Sequence, residues 1–126
     1  MTSTTGPRSV ARFRPQRDGW WRLAEIIATG RPFTSTTASL RGERERWPTS
    51  FGQLPAAHAA RLRADSTRPG IDVIIYSYAT PIAWHAHGAG WTLPDVTYSV
   101  TTSRHQSLVR VALANPPALA RTSLAA

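Results

Sequence analysis

Residues 71–84, IDVIIYSYATPIAW, constrain this chain more than any other stretch. Their β-branched and aromatic side chains suit a pleated surface better than a helix, so the segment predicts a strand. Alternation along it puts Ile74, Tyr76, Tyr78, Ile82 and Trp84 on one face, with Val73, Ile75, Ser77, Ala79, Ala83 and His85 on the other. The second face is small beyond Ile75, which lets a helix approach closely. Residues 87–90 read as a hairpin loop, and WTLPDVTYSV (91–100) as the returning strand. Pro81 and Pro94 cannot donate ladder hydrogen bonds, so each marks a bulge or an edge.

Helical signals flank this ribbon. Trp20, Leu23, Ala24 and Ile27 recur at helical spacing before Gly30 and Pro32, which predicts a helix over 19–29. Residues 31–53 carry many hydroxyls and no sustained period, and read mostly as loop. Pro55 and the alanines after it predict a helix over 55–64. Ser103 with Gln106 fits a capping box, opening a helix that runs to about Ala114 and buries Leu108, Val109, Val111, Ala112 and Leu113. Residues 1–17 hold four arginines and no apolar face, which predicts a flexible basic arm ahead of a single domain over 18–115 and a tail over 116–126. The expected fold class is α+β: a small antiparallel sheet (hairpin or three-stranded meander), a C-terminal helix packed on it, and one or two N-terminal helices. The edges of so small a sheet need cover, which suits a homodimer.

At 126 residues with 41% hydrophobic and 17% charged side chains, the chain fits one globular domain and not a disordered one. No run approaches the ~20 apolar residues of a bilayer span, and none resembles a signal peptide, so a cytoplasmic protein without membrane partners is expected. The absence of cysteine excludes disulfides, thiolate zinc sites and cysteine nucleophiles.

The net charge is +8, and all fifteen cations are arginine. Arginine presents a planar fork that grips phosphate bidentately and stacks on rings, so the balance points to nucleic acid or an acidic protein surface. Genomic GC bias also replaces lysine by arginine, but it explains the net charge less well.

The junction 98–106, YSVTTSRHQ, is the expected anion site. A helix opening at Ser103 would put Arg104 and His105 in a first turn with unpaired amides, where a cation is unfavourable unless an anion joins it. Thr101, Thr102 and Ser103 would add hydroxyl donors, with Arg110 further along. The competing reading has Arg104 in water and His105 facing inward, bonded to the sheet. Tyr76, Tyr78, Trp84, Trp91 and Tyr98 form either a stacking platform for nucleic acid or the core itself. His85 and His87 alternate as metal ligands can, but the third ligand would have to come from His58, His105, Asp72 or Asp95, so no metal and no cofactor are expected. Phosphate-loop, dinucleotide, zinc-protease and hydrolase motifs are missing, and no catalytic residue is assigned.

Two segments, YSYATPIAW (76–84) and GWTLPDVTYSVTTSRHQ (90–106), are similar to a pattern in small proteins of bacteriophages infecting actinobacteria. There a Y-S-Y-x-T-P-I-A strand and a hairpin lead to P-D-x-x-Y-S-x-T-T-x-R-H-Q and a helix. The similarity spans residues 71–113 and implies membership of a domain of unknown function in a small phage-encoded protein of the host cytoplasm. It carries over no catalytic residue.

The function expected from the sequence is non-enzymatic binding of nucleic acid. Arg8, Arg12, Arg14 and Arg17 of the arm would track phosphates, while Arg104, Arg110 and the tyrosines complete the surface. The alternatives are an interaction module that modulates a host or phage protein, and an enzyme using His105 or the His85/His87 pair.

Overall fold

The computed structural model describes residues 10–117. The chain runs β1 (Ala11–Phe13), α1 (Pro15–Ala28), β2 (Phe33–Ser35), β3 (Leu40–Glu43), α2 (Ala56–Thr67), β4 (Ile71–Ser77), β5 (Thr80–Ala86), β6 (Gly90–Thr92) and α3 (Val100–Ala114). Six strands make one sheet in sequential order. Only β1 and β2 are parallel, and the crossover that such a pair requires is α1. The α+β class and the C-terminal helix agree with expectation, but the sheet has six strands and is mixed.

The run 71–84 is two strands and not one. Ser77 opposes Thr80, and the chain reverses through Tyr78 and Ala79. Tyr78 sits at φ 57, a left-handed conformation of the kind tight hairpin turns demand. Its amide donates to the Ser39 carbonyl at 2.7 Å. The register slips at Pro81, so that Ile75 opposes Ala83 while Tyr76 opposes Pro81. Ile82 is the extra residue, and it joins Ala83 in one cluster instead of sharing a face with Trp84.

Residues 31–53 are not mostly loop, because they contain β2 and β3. Strands this short carry no readable period, and packing selects them. Phe33 opposes Gly42, where a Cβ would lie 2.2 Å from the Phe33 ring, so the aromatic occupies the space a side chain would need. The segment expected as a basic arm supplies β1 and the start of α1, with a kink at Gly19 (φ 73). Beyond β6 the expected returning strand leaves the sheet at Thr92.

The sheet separates two clusters. On one side Phe13, Phe33, Leu40, Ile75, Ile82 and Ala83 meet Leu23, Ala24 and Ile26 of α1 and Val109 and Ala112 of α3. On the other, Ile71, Ile74, Tyr76, Trp84 and Ala86 meet Ala59 and Leu62 of α2. No residue of β1, β2 or β3 joins the second cluster, so α2 covers only half of that face.

Candidate nucleic-acid interface

The expected anion site does not form as the capping box required. The N-cap of α3 is Ser99, whose side chain accepts from the Thr102 amide at 3.3 Å. The helix therefore opens one turn early, and the Ser103 amide already donates to the Ser99 carbonyl. Arg104 and His105 lie in the second turn, where amides are paired and leave no unclaimed donors to hold an anion beside them. Gln106 reaches the Val96 carbonyl at 3.0 Å instead of the amide of Ser103. Thr101 and Arg104 are exposed, Ser103 is half-buried, and Arg110 is exposed further along. A shallow groove of about 520 Å³ remains here, lined by Thr97, Tyr98, Val100, Ser103, Arg104 and Ser107. The buried Tyr98 hydroxyl has no hydrogen-bond partner among the described residues, and burial raises its pKa.

His105 faces inward. Its Nδ1 lies 2.7 Å from the Ser77 hydroxyl, which donates to Thr102 Oγ1 at 3.0 Å. With that proton on Thr102, His105 carries its own on Nδ1. Burial lowers its pKa, so the ring is held neutral. The segments 76–84 and 90–106 meet at this contact, which joins α3 to the sheet.

Tyr76 and Trp84 are core and not platform, since both are fully buried. The Trp84 indole donates to Asp65 at 2.9 Å. The Tyr76 hydroxyl donates to Glu45 and accepts from the Thr49 amide at 3.0 Å, and burial followed by the Glu45 contact pushes its pKa up to about 12. Tyr78 is exposed, Tyr98 half-buried, and Trp91 packs edge-on against His85 at 5.3 Å. His85 and His87 both turn Nδ1 toward Asp72, at 3.0 and 3.5 Å. Among the described residues no group of three His, Asp or Glu side chains is placed to hold a metal, and His58 and Asp95 stand apart from this pair.

The charges sort into two sets. Six of the seven carboxylates are engaged within the protein. Asp18 accepts from the Arg14 amide, Glu25 pairs with Arg22, Glu43 with Arg41, and Asp65 with Arg61, while Glu45 and Asp72 hold Tyr76 and the two histidines. Two more arginines bind backbone carbonyls at or next to helix ends. Arg44 donates to the Gly30 carbonyl at 2.9 Å just beyond α1, and Arg46 donates to the Ser66 and Thr67 carbonyls at the end of α2. The side chains of Arg12, Arg14, Arg17, Arg68, Arg104 and Arg110 have no acceptor among the described residues, and all six residues are exposed. Arg8 lies outside the described residues.

Three of those six flank the start of α1, beside the uncovered half of the sheet. There the register aligns Arg12 with Thr34, Thr34 with Arg41, and Arg41 with Tyr76. The Arg41 guanidinium sits 4.2 Å from the centre of the Tyr76 ring. Trp47 is exposed in the turn whose ends, Glu45 and Thr49, both bond the Tyr76 hydroxyl. Arg41, Thr34 and Trp47 escape sequence reasoning because only strand register brings them together. The run ERERWP (43–48), an aromatic among arginines, is the one signal that could have flagged Trp47.

These features define an α+β protein with a half-covered mixed sheet and cations left without internal acids. Residues 31–111 match the family of unknown function DUF8033, and the chain belongs to that family. Comparison with curated proteins finds no match, and comparison with solved structures finds none.

Proposed function

We propose that this is a non-enzymatic, phage-type accessory protein of the host cytoplasm that binds nucleic acid through arginine. One observation carries the reading: the carboxylates are nearly all engaged internally, while six exposed arginine side chains have no acceptor among the described residues. Cations left unpaired in this way supply the sequence-independent attraction to phosphates, and each one neutralising a phosphate releases counterions. Gel retardation of DNA and RNA by the whole chain at about 50 mM salt tests it, with binding expected to weaken steeply by about 200 mM. A chain that retards neither at low salt ends the reading.

A second reading, an interaction module acting on a host or phage protein, is favoured by the exposure of Trp20, Trp21 and Trp47. Large rings of this kind anchor protein interfaces. Capture of a protein from nuclease-treated lysate that Trp21→Ala abolishes supports it, and capture that disappears with nuclease removes it.

A further inference from the structure

We propose that the uncovered face of β1, β2 and β3 binds a single strand of nucleic acid, an inference that rests on the nucleic-acid reading above. Four observations converge on it. Among the described residues α2 packs against β4 and β5, and no residue of β1, β2 or β3 joins its cluster, which leaves that half of the face open. Across it runs the row Arg12–Thr34–Arg41, set by register, and neighbouring strands are about 4.8 Å apart. Arg14 continues the alternation, since its backbone is extended (φ −114, ψ 105), so its side chain falls on the same side as Arg12.

The third observation is the Arg41–Tyr76 stack. Tyr76 holds one face of the guanidinium, and Glu43 fixes its edge at 2.8 Å. The arginine side chain keeps 28% exposure, so part of this guanidinium, paired with Glu43, meets solvent in a set orientation. Bases stack on arginine planes held in this way. The fourth is Trp47, 53% exposed in a turn tied at both ends to the same tyrosine. It gives a second exposed ring, in a turn that closes on the tyrosine under Arg41.

The shape decides between strand and duplex. Reading duplex DNA through its major groove takes a projecting helix or a two-stranded ribbon, and this face offers neither. A flat sheet with arginines and stacking surfaces suits splayed bases and an accessible backbone. Phosphates would lie on Arg12 and Arg14, and bases on Arg41 and Trp47.

Fluorescence anisotropy of the whole chain with a labelled oligothymidine of roughly 12 nucleotides, and with a duplex of equal length, tests the inference at about 50 mM salt. The single strand is expected to bind at least about tenfold tighter than the duplex. Trp47→Ala should weaken it roughly five- to tenfold, consistent with the loss of one stacked base. Arg12→Glu should weaken it at least as much, whereas Ala114→Glu, at the exposed end of α3 across the sheet, should change it less than about twofold. All three residues are exposed, and far-ultraviolet circular dichroism checks that each variant folds. Equal or tighter duplex binding overturns the single-strand inference and leaves the nucleic-acid reading standing. So does a silent Trp47→Ala with Ala114→Glu as damaging as Arg12→Glu. Binding of neither probe removes both.

Discussion

The two faces of this sheet bury comparable aromatics by different means. Toward α1 and α3, Phe13 and Phe33 pack edge to face at 5.7 Å among aliphatic side chains. Toward α2, Tyr76 and Trp84 are equally buried, but each sends a polar atom to a carboxylate, Glu45 or Asp65. The first face depends on shape and volume. The second depends on hydrogen bonds that fix where a loop and a helix sit, and its cover stops halfway. A sheet that has one face fully packed can leave half of the other free for contact.

Substitutions can break this contrast, and the largest effect should come from the hydrocarbon face. Phe33→Ala removes a fully buried ring, which costs about 3–5 kcal/mol. Urea denaturation should show this as a large fall in midpoint, and a loss below about 1 kcal/mol would mean that this face is not the main source of stability. Trp84→Phe should cost less, about 1–3 kcal/mol, because Asp65 loses the indole donor but keeps Arg61. If it matches Phe33→Ala, the polar tether is not a separate contribution.

Titration sharpens the contrast, because the faces fail at opposite ends of the pH scale. His105, on the α3 side, has its folded pKa lowered by burial, so the neutral ring contributes stability above its unfolded pKa of about 6.5. That contribution is lost as pH falls below this value toward the folded pKa. Urea midpoints of the protein should therefore drop over this acid range more than those of His105→Gln. Tyr76, on the α2 side, is raised to about 12, so its stabilising protonated form is retained in the fold and lost as pH rises from about 10 through 12. Absorbance of ionising tyrosine should show a step near pH 12 that Tyr76→Phe deletes. The smallest effect belongs to the open face, where Arg12→Ala should leave stability within about 0.5 kcal/mol while weakening nucleic-acid binding.

The sequence made the class and several elements legible, and the misses have physical causes. Periodicity located α1, Pro55 with the alanines after it located α2, and alternation assigned Ile74, Tyr76 and Trp84 to one face correctly. The reversal at Tyr78–Ala79 was invisible, since neither residue is a usual turn former and tertiary contacts impose the left-handed φ. Ala38, at φ 62, hides the turn between β2 and β3 in the same way. Two serines four residues apart both precede plausible helix starts, and Ser99 takes the role read at Ser103. The inward His105 was legible as the competing reading, because its spacing matches Val109 and Ala112. The Arg12–Thr34–Arg41 row was not, because it exists only once β1, β2 and β3 are in register.

Arg44 and Arg46 leave the same strand end and fasten helices on opposite sides of the molecule. The short segment between them works as a clasp that couples the upper and lower layers. Lysine at position 46 has a single nitrogen where arginine places Nε and a terminal nitrogen on successive carbonyls. An exchange that composition alone treats as silent would loosen the clasp and let the two layers move independently.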